Sequence, residues 1–324
     1  MRQVIPIFIL VLMTAYGPLS MIDNLDIEET KFAGEEVEGV HDVPDWRIGD
    51  KWVYETQFDV AQLIQQANVS ATLNTLEGDT TMEVVDIRFE DIQGVQTLVY
   101  EIDIEGDFNS GNYGATFDGT TGRLEIEYDG TDILRASDLS MWDSEFSLDV
   151  DFLAGNFGFM RPFGQLADIT FSTVCEPPRE KYDFPLRTGD QWVSTYESGT
   201  NVSGTSDYFD PSEFDTPFVE DNTTYQVTTD GEPSEDESGV DYTGCSDSYK
   251  VNNWNNTGSA GGFEWYCPAV RSYAWYRIVN PAGFQIDWKL KTYTPVDSGG
   301  VNAASSPGIR NVVIDVTPEF VAIL

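Results

Sequence analysis

Across residues 97–105 (Thr-Leu-Val-Tyr-Glu-Ile-Asp-Ile-Glu) apolar and acidic positions alternate. That is the period of a strand with one face in a core and the other in water. Residues 80–89 alternate less strictly, and residues 146–152 alternate again. Residues 115–130 read as strand, glycine-containing turn, strand and a second Asp-Gly turn. On that last strand Leu124, Ile126 and Tyr128 share one face, while Glu125 and Glu127 face water. The pattern predicts an antiparallel sheet covered on one side. The best helix candidate is residues 60–67 (Val-Ala-Gln-Leu-Ile-Gln-Gln-Ala), which would lie across the concave side of the sheet. Two aromatic-rich segments, 263–279 and 284–293, flank the turn signal Asn280-Pro281-Ala282-Gly283 and read as a hairpin.

An internal repeat sets the expected organisation. Trp46-Arg47-Ile48-Gly49-Asp50-Lys51-Trp52-Val53 recurs as Leu186-Arg187-Thr188-Gly189-Asp190-Gln191-Trp192-Val193, with Arg, Gly, Asp, Trp and Val at matching offsets. A Gly-Asp turn feeding a strand whose tryptophan anchors a core explains the pattern. So long a period predicts two related domains rather than a solenoid. The first β domain is placed at residues 46–176 and the second at 184–297, with Pro177-Pro178 as the break between them. Residues 207–241, acidic and holding Pro211, Pro217 and Pro233, read largely as a surface loop. The expected fold class is therefore mainly β, with two related antiparallel curved-sheet (half-barrel-like) domains, each with at most one short helix.

The ends of the chain speak to its address. Arg2 precedes an apolar run at residues 4–13 and small residues up to Ser20, the layout of a secretory signal peptide at residues 1–20. Residues 21–45 then read as a solvated acidic linker, with nine carboxylates against Lys31. Three cysteines fit an oxidising compartment. Cys245 and Cys267, in segments that read as neighbouring strands around an Asn-rich loop, are expected to pair. Cys175 would then be free, or else the true partner of one of them. Asn68, Asn201, Asn222 and Asn255 each open a glycosylation sequon. At the other end, Pro318-Glu319-Phe320 followed by Val-Ala-Ile-Leu resembles the start of an archaeal PEF-type sorting signal, which an archaeosortase processes. In that family a membrane-spanning helix and a short basic tail follow, and here they do not. Residues 298–324 are thus either a C-terminal tail with a truncated anchor or a final edge strand at residues 312–316.

Charge narrows the function. Seventeen basic residues against 56 acidic ones give a net charge of −39, which repels a polyanion and argues against nucleic acid as a partner. A single histidine, His41, leaves no His-rich metal site and no convincing triad. There is no Gly-x-Ser-x-Gly elbow, Ser-x-x-Lys pair or phosphate-binding glycine loop. Oxygen-rich loops containing Asp118, Asp129, Asp132, Asp210 and Asp215 are candidate calcium sites, though none has EF-hand spacing. No other cofactor is expected.

The run from Phe184-Pro185-Leu186-Arg187-Thr188-Gly189-Asp190-Gln191-Trp192 through Trp265-Tyr266-Cys267-Pro268 to the hairpin resembles a loose class of exported β proteins. That class is similar to the periplasmic lipoprotein carriers, curved half-barrels that cup an apolar ligand. The resemblance covers roughly residues 184–293, with a fainter echo in 46–152, and it implies fold and not reaction. Trp265, Tyr266, Tyr273, Trp275, Tyr276 and Trp288 are candidate ligand-contacting aromatics, or else core. The expected function is a non-enzymatic, exported cell-surface binding or structural module for an apolar or glycan ligand, associated with the cell envelope. The alternative is a secreted hydrolase using two paired carboxylates.

Overall fold

The computed structural model describes residues 43–59, 71–117, 119–156, 159–206, 210–235, 238–255, 258–280 and 284–296. The expected signal peptide, the linker up to residue 42, the 60–67 helix, Asn68, Asp118 and the 298–324 tail lie outside the described residues. Almost everything described is strand. The first sequence unit forms β1 (Lys51–Asp59), β2 (Ala71–Leu73), β3 (Leu76–Ile92), β4 (Val95–Asn109), β5 (Ala115–Phe117), β6 (Thr120–Arg135), β7 (Met141–Asn156) and β8 (Phe159–Arg179). The second forms β9 (Gln191–Ser206), β10 (Thr216–Gly231), β11 (Ser234–Glu235), β12 (Ser238–Gly239), β13 (Ser248–Asn255), β14 (Ala260–Cys267), β15 (Ser272–Asn280) and β16 (Phe284–Thr294). Among the described residues, no helix is long and apolar enough to cross a membrane.

All strands but β11 and β12 belong to one antiparallel sheet of 14 strands, in the order β2-β5-β6-β4-β3-β1-β16-β15-β14-β13-β10-β9-β8-β7. A further pairing of β6 with β7 closes it into a barrel of 12 strands, leaving β2 and β5 as a short ribbon on β6. Closure removes the open edges that a sheet this wide would otherwise present. The two sequence units do not form separate sheets. Each supplies one unbroken arc of the barrel, and the arcs meet where β8 pairs with β9 and where β16 pairs with β1.

The repeat is visible in the backbone. Gly49 N–H donates to Val84 O at 2.7 Å, and Val84 N–H returns to Asp50 O at 3.0 Å. In the second arc Gly189 N–H donates to Val227 O at 2.8 Å, and Val227 N–H returns to Asp190 O at 2.9 Å. The tryptophans that follow behave alike: Trp52 stacks on Tyr293 and Trp192 on Tyr225, with centroids 5.4 and 5.5 Å apart.

A barrel of eight strands is just filled by side chains, and a wider one needs bulkier contents. The alternating inward positions supply them. Trp52, Tyr54 and Phe58 of β1, Leu124 and Ile126 of β6, and Phe146 and Phe152 of β7 are all buried. Tyr128, Phe146 and Phe171 stack in a column. Inward hydroxyls pair across strands, Thr56 with Thr80 at 2.7 Å and Thr173 with Thr200 at 2.8 Å, which satisfies polar atoms that burial would otherwise penalise. Outside, Glu127 and Asp129 are exposed.

Three expectations are corrected. Residues 207–241 are not mainly loop, because they contain β10, a barrel strand. Within β10 only Asp221, Tyr225 and Val227 are buried, so the acidic and Thr-rich outer face hides the alternation. Pro177-Pro178 does not break the chain between sheets. The two prolines sit inside β8, in an irregularity where Met141 pairs with Arg179 but Asp143 pairs with Val174. There their missing N–H groups cost no regular ladder bond. The 263–279 segment is two strands, β14 and β15, joined by a turn at residues 268–271, and β15 with β16 forms the expected hairpin.

Candidate functional site

One end of the barrel, where β1, β7, β9 and β15 begin and β6, β8 and β14 end, is closed by the chain segments that lead into those strands. Trp46 packs over the opening, its Nε1 donating to Arg271 O at 2.7 Å and its ring 5.2 Å from Trp52. Trp52 Nε1 donates to Val270 O at 2.8 Å. From the other arc, Tyr182 and Leu186 are buried at the same end. The equivalent repeat positions Trp46 and Leu186 thus both serve as plugs. Below them lies a cavity of about 80 Å³. Met82, Ile104, Leu134, Met141 and Trp288 form its apolar wall, and Asp132, Arg179, Lys181 and Tyr276 bring polar groups to it.

Most of this polarity is internally matched. Lys181 Nζ lies 2.9 Å from Glu264 Oε1 and 4.9 Å from the centre of the Tyr276 ring. Tyr182 OH donates to the other carboxylate oxygen of Glu264. A buried carboxylate with a cation and a phenol on it is stable only because both partners are present. Burial and the adjoining Glu264 charge hold the Tyr182 phenol far above its ordinary range. Tyr54 OH donates to Tyr273 O at 3.2 Å, and Tyr273 OH contacts Met82 Sδ at 2.8 Å. Asp132 hydrogen-bonds Ser144, and burial raises its carboxyl above the usual carboxylate range.

Arg179 is the exception. Its Nε is buried without a hydrogen-bond partner. Nη2 has only the weak acceptor Met141 Sδ at 3.6 Å, and the guanidinium carbon sits 5.9 Å from the Tyr196 ring centre. Among the described residues Arg179 forms no ion pair; Asp132 and Asp221 act on it only through space.

Of the aromatics singled out in the sequence, Tyr266, Tyr273, Tyr276 and Trp288 line the cavity. Trp265 and Trp275 point the other way. They form a separate buried cluster with Phe263 on the barrel exterior, against Val240. Cations cover it: Lys289 Nζ is 4.3 Å from the Trp275 ring, Lys250 Nζ 4.6 Å from Phe263, and Arg277 5.0 Å from Trp275. Trp275 Nε1 and Arg277 Nε both donate to Asp287 Oδ1 at 2.7 Å. Strand alternation, shifted by the irregularity between Trp265 and Tyr266, decides which aromatic faces which side.

The sequence does not single out Arg179 and Lys181, because Glu176–Asp183 reads as an inter-domain boundary, nor Glu264, which sits in a segment marked by its aromatics. The available signal was the two-residue spacing of Arg179 and Lys181, which places two cations on one face of an extended chain. The calcium candidates do not converge. Asp129 and Asp132 lie on opposite faces of β6. Asp210 accepts from Ser212 N–H at 3.0 Å, and Asp215 from Val202 N–H at 2.7 Å. Among the described residues no group of three or more His, Cys, Asp or Glu side chains is placed to hold a metal. Asn201 is exposed on β9, whereas Asn222 on β10 and Asn255 at the end of β13 are half-buried. Cys245 and Cys267 are joined, with Cα atoms 5.4 Å apart, and Cys175 is a buried free thiol.

No protein-family model matches the chain, and no curated protein matches it in sequence. Among solved structures the chain is similar to the β-barrel-like protein of a domain of unknown function, DUF1849, from Brucella abortus. The identity is 10% and the TM-score 0.32, over 78% of this chain and 100% of that one.

Proposed function

We propose that the protein is a non-enzymatic, exported cell-surface module that holds a small apolar ligand inside its barrel. The observation that carries this reading is the cavity beneath Trp46, enclosed by Met82, Ile104, Leu134, Met141 and Trp288. Enclosed cavities with mostly apolar walls and a few placed polar groups are what small-molecule sites have in common. A hydrolytic reading is less well supported, because Glu264 is committed to Lys181 and Tyr182. Export is supported by the apolar N-terminal run, the sequons and the Cys245–Cys267 bond. The matching Gly-Asp turns and stacked tryptophans support an origin by duplication, each half-barrel domain having become one arc of a single barrel.

The direct test is titration of the full chain with hexan-1-ol, read through tryptophan fluorescence, since Trp46 and Trp288 line the cavity. A saturable change, together with an organic mass released on denaturation in native mass spectrometry of protein from its own envelope, is the expected result. Absence of both a saturable response and any released mass overturns the reading.

A further inference from the structure

The cavity is apolar on most of its wall, yet it holds a guanidinium with an unspent charge. Lys181 beside it is neutralised by Glu264 at 2.9 Å. Arg179 is not: its buried Nε has no partner, and Nη2 has only a thioether at 3.6 Å. Asp132, the carboxylate on the same wall, is engaged by Ser144 and forms no ion pair with Arg179. A buried donor left without a hydrogen-bond partner is disfavoured, because nothing replaces its lost hydration. A guanidinium offers a planar fork of donors that matches a carboxylate. It is presented here beside Leu134, Met141 and Trp288, surfaces suited to a hydrocarbon chain.

We infer that the barrel cavity takes a carboxylate bearing an apolar tail, with Arg179 as the counter-ion of its head group. This rests on the reading of the barrel as a binder of small apolar ligands and names the class of ligand. Lys181 is matched by Glu264, so Arg179 is the cation of the cavity left for a head group, in a chain that is otherwise strongly acidic.

The test compares sodium hexanoate with hexan-1-ol, two probes of equal tail length, by the same tryptophan fluorescence titration. The unaltered chain, Arg179→Gln and Arg179→Lys are used, each checked for folding by circular dichroism. In the unaltered chain hexanoate should bind on the order of tenfold more tightly than hexan-1-ol, as a charge-assisted hydrogen bond implies. Arg179→Gln should abolish that preference, and Arg179→Lys should reduce it without removing it. Equal binding of the two probes to the unaltered chain overturns the inference, whatever the variants do. So does a preference that persists undiminished in every variant that folds. If neither probe binds, the inference falls, and if native mass spectrometry also releases no organic mass the reading of the barrel as an apolar-ligand carrier falls with it. Binding of the alcohol without preference for the acid removes only the carboxylate.

Discussion

Gly49 and Gly189 occupy equivalent places in the two arcs, with φ of 93° and 98°, a region that only glycine enters without strain. They differ in their surroundings. A Cβ on Gly189 would meet nothing within 4 Å, whereas one on Gly49 would sit 3.0 Å from Val296 Cγ2. Gly189→Ala should therefore cost about 1–2 kcal/mol, the strain of the backbone alone, and Gly49→Ala distinctly more. Chemical denaturation of the two variants checks this, and equal losses would show that the Val296 contact yields freely. Aspartates following these glycines also diverge: Asp50 accepts from Arg47 N–H at 2.9 Å and Val296 N–H at 2.8 Å. The Gly-Asp-x-Trp signature was legible in the sequence because turn geometry and a large aromatic are local requirements. The separate fates of its two copies were not, because Val296 reaches Gly49 from the far end of the described chain.

At the scale of elements, β10 shows why a barrel strand can pass for a loop: Tyr225 and Val227 are its only buried apolar positions, and the outer face is acidic and threonine-rich. The Cys245–Cys267 bond pins the segment before β13 to the end of β14 across 22 residues. In the chain-entropy account a loop of this size contributes about 3 kcal/mol. Reduction, or Cys245→Ser, should lower the stability by roughly that amount, measured by the shift in the urea midpoint. Thiol counting gives a companion result. Cys175 lies buried against Met141 and Tyr196, so the oxidised native chain should show no reactive thiol and the oxidised denatured chain one. A second thiol in the oxidised denatured chain would contradict the Cys245–Cys267 pairing.

For the whole molecule, barrel closure places an unusual number of phenols inside. Tyr54, Tyr100, Tyr182, Tyr225 and Tyr266 are buried, and burial is the largest influence raising each of their pKa values. Tyr100 is pushed from 10.0 to about 12. In the unfolded chain these phenols ionise near about pH 10, while in the barrel they stay neutral, so the unfolded state loses protons first. Their contribution is therefore complete below about pH 10 and declines as pH rises through about 12 for Tyr100 and further for the others. Urea midpoints measured at increasing pH should fall over that window. A flat profile would refute this account.

The sequence by itself determined the class of the fold, since strict alternation such as Leu124-x-Ile126-x-Tyr128 admits only a one-faced strand. It also marked the two starting points of the arcs at Gly49-Asp50 and Gly189-Asp190, and the cysteines that pair. Only the tertiary structure decided that the two arcs form one barrel. Pairing of β8 with β9, β16 with β1 and β6 with β7 depends on twist accumulated over many strands, which no local pattern encodes. It alone sorted Tyr266, Tyr273 and Trp288 to the inside and Trp265 and Trp275 to the outside, because a single shift of register reverses every later side chain. The charge at Arg179 acquires its meaning in the same way, from what surrounds it in space and not from its neighbours in the chain.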